Sequence, residues 1–188
     1  MYKATEIDTW VAEIMQQYGA EGSTTFVGVA TEKRPYLSET MDRGQDLVVD
    51  YDNVNKVATL QLCIDKKCLI IQLFYLDYMP QSLKDLFRSR NLKFIGDNII
   101  QETSELMRDQ DMEWNQNVTD CEGSERRRNE VSWIGFHSLY CVFRCHVFPE
   151  RPDTVHLRRC DWQARVLNED QLQLACLDAY TAYNAGGR

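Results

Sequence analysis

The sequence predicts an α/β fold built on a mixed sheet, and three observations carry that prediction. Helical periodicity alternates along the 188 residues with short β-rich runs, in the order helix, strand, hairpin, helix, strand, helix, strand, helix, helix. The second and third strands are separated only by the turn Asp65-Lys66-Lys67, which makes them an antiparallel hairpin. The later strands are separated by helices, the connection that parallel neighbours require.

The elements follow in order. From Glu6 to Tyr18, Ile7, Trp10, Val11, Ile14 and Met15 recur at helical spacing, with Thr5 or Asp8 as the cap and Gly19 past the end. Thr24 to Ala30 is β-rich and reads as the first strand. Residues 33–56 are polar, contain Pro35 and Gly44, and read as a long loop or irregular hairpin. Val57 to Ile64 and Cys68 to Phe74 form the hairpin. Pro80 opens a helix through Phe87, because proline suits a first helical position. Lys93 to Gly96 is a short strand, Ile99 to Met107 a helix, and Met112-Glu113-Trp114 the start of a fifth strand. Val131 to Phe148 is apolar and read as a helix, although its β-branched and aromatic residues also suit a strand. Asn168 caps a last helix through Asn184, ended by Gly186-Gly187. No repeat or linker divides the chain, so residues 1–188 are expected to form one domain.

Composition narrows the function. With 21 Lys plus Arg against 29 Asp plus Glu, the net charge is −8, which argues against bulk attraction to nucleic acid or an anionic membrane but leaves a local basic groove open. No run approaches the ~20 apolar residues of a membrane span, so no membrane partner is expected. The N-terminus lacks the pattern of a secretory signal, and the seven cysteines are irregularly spaced. Reduced thiols in a nuclear or cytoplasmic protein are the expectation.

Three blocks stand together in order and spacing. The first is Phe26-Val27-Gly28-Val29-Ala30-Thr31-Glu32, followed by Ala58-Thr59-Leu60-Gln61-Leu62-Cys63. The second runs from Lys93-Phe94-Ile95-Gly96 through Glu102 to Leu106, and the third joins Asp161-Trp162 to Leu174-Ala175-Cys176-Leu177-Asp178-Ala179-Tyr180. These blocks resemble the 3′–5′ exonuclease domain of the RNase D and Werner-helicase group, especially its plant Werner-like members. The resemblance covers almost the whole chain, from Glu6 to Asn184. It implies an RNase H-like fold, a mixed five-stranded sheet flanked by helices.

The resemblance also implies a site. In that family four carboxylates hold two divalent ions and a tyrosine aligns the attacking water. Mg²⁺ or Mn²⁺ ions about 4 Å apart stabilise both the attacking and the leaving oxygen. Carried over residue by residue, the first acid is replaced by Ala30 and its partner is kept as Glu32. The middle aspartate becomes Glu102, the tyrosine becomes Leu174, and the last acid is kept as Asp178. Glu32 and Asp178 are the metal positions that remain. The expected outcome is weak or lost binding of Mg²⁺ or Mn²⁺ and impaired catalysis. A shifted alignment that uses Asp50 and Asp52 as the first-strand acids would restore an active site.

Other residues have competing readings. Glu32 could be an exposed strand-end acid, and Glu102 an ordinary acid of a helix N-terminus. Arg158 and Arg159 could contact phosphates, or face solvent or ion pairs. Arg126-Arg127-Arg128 reads as a solvated loop that could border a nucleic-acid groove. Cys141, Cys145 and His146 look like metal ligands but lack a second pair and suit a core better. Two functions remain: a degenerate exonuclease-like module that binds nucleic acid or protein, with a homodimer through 131–148 among the options, and an active metal-dependent 3′–5′ exonuclease on DNA or RNA.

Overall fold

The computed structural model describes residues 4–20, 22, 24–34, 56–110, 113, 114, 117–120, 140, 141 and 154–186. Helix α1 (Ala4–Tyr18) buries Ile7, Trp10, Val11 and Ile14, the stripe that its 3.6-residue period presents to the sheet. It begins earlier than expected, so Thr5 and Asp8 lie inside it rather than capping it. Thr9 Oγ1 donates to the Thr5 carbonyl at 2.9 Å, and Asp8 accepts from Ser82 across the packing surface with α2 (Gln81–Arg88). Strand β1 (Thr25–Lys33) runs three residues past the expected end at Ala30. Its antiparallel ladder with β2 (Val57–Ile64) continues to the pair Lys33–Val57, and that partner is invisible to local propensity.

Strand β2 is buried at all eight positions because it lies between β1 and β3 (Lys67–Gln72) with helices on both faces. The hairpin turns at Asp65, whose φ of 50° is left-handed. The return strand ends at Gln72, two residues short of the expected Phe74, and continues as a 3₁₀ turn over Leu73–Tyr75. Pro80 stands one residue before the first turn of α2, as its cap. Strand β4 (Leu92–Gly96) and helix α3 (Ile99–Gln110) lie where periodicity put them.

The fifth strand is displaced. It is β5 (Val118–Asp120), not the segment around Trp114. Trp114 instead stacks on Phe87 with ring centroids 3.9 Å apart and meets Phe94 edge-on at 5.2 Å, so side-chain burial rather than a ladder holds it. Tyr140–Cys141 forms a two-residue strand, β6, parallel to β3, inside the stretch read as a helix. A partner strand decided the conformation there, as the β-branched and aromatic content of 131–148 allowed. The remainder of that stretch lies outside the described residues, as do Asp50, Asp52, Arg126–Arg128, Cys145 and His146. A short helix, α4 (Thr154–Leu157), had no sequence signal. Helix α5 (Glu169–Gly186) starts as expected at Asn168, where Asn168 Oδ1 accepts from the Gln171 amide at 2.9 Å and Gln171 Oε1 accepts from the Asn168 amide at 3.0 Å.

The sheet order is β5-β4-β1-β2-β3-β6. Strands β1, β4 and β5 are parallel, and β1-β2-β3 are antiparallel. The expected five-stranded mixed sheet is therefore present, with β6 added at one edge. One face packs α1, α2 and α3 through Trp10, Ile14, Leu60, Leu62, Phe87 and Leu106. The other carries α4 and α5 through Cys63, Ile70, Trp162, Leu174 and Ala179. Gly28 sets the distance of α5 from β1: a Cβ there would lie 1.9 Å from the Ala179 carbonyl oxygen. Among the described cysteines, Cys63, Cys68 and Cys160 are free thiols. Cys176 is disulfide-bonded, against the expectation of reduced thiols throughout, because spacing along a chain does not reveal which sulfurs the fold brings together. Among the described residues no helix is long and apolar enough to cross a membrane.

Candidate functional site

The chemistry-bearing residues gather where the parallel strands β1 and β4 end and α5 crosses them. Glu32 lies within β1, opposite Thr59 of β2, and is only 5% exposed. Asp178 projects from the second half of α5 and is 8% exposed. The missing Gly28 side chain lets α5 sit directly on β1, which brings these two acids together. Two buried carboxylates require a positive partner. Arg158 supplies it: Nη1 donates to Glu32 Oε1 at 3.0 Å, and Nη2 to Asp178 Oδ2 at 2.6 Å.

The backbone around Arg158 is well anchored. The Arg159 amide donates to the His156 carbonyl at 3.0 Å, and the Cys160 amide to the Leu157 carbonyl at 3.1 Å. Trp162, fully buried, donates from Nε1 to the same Leu157 carbonyl at 3.1 Å. Burial acts to lower the proton affinity of Arg158, but Asp178 and Glu32 raise it by more, so the guanidinium is held firmly charged. Of the readings open for Arg158, ion pairing is the one its contacts display, while Arg159 beside it is exposed.

Glu102 sits in the first turn of α3, close enough to Glu32 and Asp97 for their charges to act on it. Burial is the main influence and pushes its carboxyl up to about 8, although Thr31 and Lys33 pull the other way. Lys33 pairs more closely with Glu105, its Nζ lying 2.6 Å from Glu105 Oε2. Burial would raise Glu105 too, but its bonds with Lys33 and Gln101 hold it below the usual range.

The positions that the resemblance assigns to the first acid and the tyrosine are apolar. Leu174 is fully buried, one turn before Asp178, and Ala30 packs against the same cluster. Where the resemblance implies a water-aligning hydroxyl and a first-strand carboxylate, the chain carries hydrocarbon. A two-metal centre does not fit these residues. Glu32 and Asp178 each commit an oxygen to Arg158, and no group of three or more His, Cys, Asp or Glu side chains among the described residues is disposed to hold an ion.

The structure brings Glu32, Glu102 and Asp178 into one neighbourhood, together with Asp97 and Lys33, which sequence reasoning missed. Asp97 follows the last residue of β4, and the rule that acids at strand C-termini line clefts applied to it as much as to Glu32. Lys33 carried no such signal, because β1 was expected to end before it.

Element order and sheet topology define the class: an RNase H-like α/β fold. No family model matches the chain. It is 26% identical over 190 residues to a 3′–5′ exonuclease of Arabidopsis thaliana, a match that covers 96% of this chain and 59% of that relative. Among solved structures it is similar to Escherichia coli RNase D, an exoribonuclease involved in structured RNA processing, with a TM-score of 0.58 at 16% identity over 96% of this chain and 42% of that one. It is also similar to the EXO domain of Aedes aegypti Nibbler, with a TM-score of 0.56 at 14% identity over 97% of this chain and 82% of that one. Fold and sequence likeness together support the RNase D-like 3′–5′ exonuclease family. The chain spans less than two thirds of the Arabidopsis relative's length.

Proposed function

We propose that this chain is a catalytically impaired 3′–5′ exonuclease-like domain that acts as a binding module for nucleic acid or protein. The observation that carries this reading is the apolar packing of Ala30 and Leu174 where the resemblance requires an aspartate and a tyrosine. Alanine offers no oxygen to a divalent ion, and leucine cannot orient a water. Losing one catalytic group of a set that works as a unit commonly costs several orders of magnitude in rate. Nucleic acid is the partner class suggested by relatives named as exonucleases. Protein is favoured as much by the charge of −8.

The test is incubation of the chain with 5′-labelled single strands and 5′-labelled 3′-recessed duplexes of DNA and RNA, in Mg²⁺ and in Mn²⁺. No ladder of shortened products is expected. Shortening that disappears in Glu32→Gln or Asp178→Asn would overturn the reading and establish an active exonuclease. Activity gained by Ala30→Asp combined with Leu174→Tyr would support the residue-by-residue correspondence.

A further inference from the structure

We propose that Arg158 is a resident counter-cation: its guanidinium stands between Glu32 and Asp178 in place of a divalent ion and closes that position to metal. The inference rests on the impaired-exonuclease reading and says what became of the cation site. Glu32 and Asp178 come from different elements, β1 and α5, and both are more than nine-tenths buried. Left alone, two such carboxylates repel and lose hydration. A planar guanidinium can reach both with separate N–H groups, which an ammonium would do less well. The 3.0 Å and 2.6 Å contacts use one nitrogen for each acid.

The cation is built in rather than opportunistic. It is carried by the turn after α4, which the Trp162 indole ties down through the Leu157 carbonyl. A surface arginine that folds inward by chance would not have its backbone held in this way. One oxygen of each acid, Glu32 Oε1 and Asp178 Oδ2, already accepts from the guanidinium, so an ion that bridges the two acids through those oxygens must displace it. The same side chain also ties the turn after α4 to β1 and to the middle of α5.

The experiment compares thermal unfolding of the full chain, of Arg158→Met, and of the triple variant Arg158→Met/Glu32→Gln/Asp178→Asn, each with and without 1 mM Mn²⁺. Arg158→Met is expected to unfold roughly 5–10 °C lower, because two buried charges lose their partner, and the triple variant to recover most of that loss. Mn²⁺ is expected to raise the unfolding temperature of Arg158→Met and to leave the wild-type chain unchanged. If Arg158→Met does not fold, a folded triple variant supplies the same charge-coupling result. An unchanged unfolding temperature in Arg158→Met, a triple variant no better than the single one, or equal responses of wild type and Arg158→Met to Mn²⁺ would each overturn the proposal. Strand shortening by the wild-type chain would sink the impaired-catalysis reading whatever the unfolding data. Inactivity together with equal Mn²⁺ responses would sink this inference alone.

Discussion

At the scale of single residues, Glu102 has the most direct consequence for solution behaviour. A carboxyl whose pKa is raised to about 8 in the folded chain binds its proton more tightly there than in the unfolded chain, where the value is near 4.5. Its favourable contribution is complete below about 4.5, declines as pH rises from there to about 8, and stays lost above. Glu102→Gln should flatten that slope and make the chain more stable than wild type at pH 8.5, by on the order of 2–4 kcal/mol given partial solvation. Urea unfolding of both proteins at pH 5 and 8.5 measures it, and parallel pH profiles would show that Glu102 is ionised throughout. Glu32, Glu102 and Asp178 were legible in the sequence because their neighbours carry a family pattern. The role of Arg158 was not, since an ion pair spanning 126 residues leaves no local trace.

At the scale of elements, the docking of α5 on β1 decides whether a site exists at all. The 1.9 Å clearance between a Cβ at position 28 and the Ala179 carbonyl leaves no room for even a methyl group. Gly28→Ala should push the helix away and cost about 1–3 kcal/mol, with a larger loss for Gly28→Val. The start of the same helix is held by the reciprocal Asn168 and Gln171 bonds, and Asn168→Ala should cost about 1 kcal/mol. Denaturant midpoints of these variants check both, and a wild-type midpoint for Gly28→Ala would mean that α5 docks less closely. Elements with strong periodicity or caps, such as α1, α3 and α5, were read close to their bounds. β5 and β6 were not. Three-residue and two-residue strands exist only because β4 and β3 offer them an edge.

At the scale of the whole molecule, charge is the governing quantity. A chain at −8 should bind a 20-nucleotide single strand weakly at 150 mM salt, with a Kd near or above about 10⁻⁵ M. Fluorescence anisotropy over a salt series measures this, and submicromolar binding that resists salt would reveal a basic groove strong enough to override the net charge. The sequence by itself determined the α/β class, the β2-β3 hairpin and the acids Glu32, Glu102 and Asp178 as candidates, because periodicity, turn chemistry and motif spacing are written locally. It also places Ala30 and Leu174 where the resemblance implies an aspartate and a tyrosine. Only the tertiary structure decided how the candidate acids are paired. The pairing of Arg158 with Glu32 and Asp178, the pairing of Lys33 with Glu105 and the burial that lifts Glu102 all arise between elements distant in the chain. Their energies depend on solvent exclusion and on geometry that exists only once the helices have packed on the sheet.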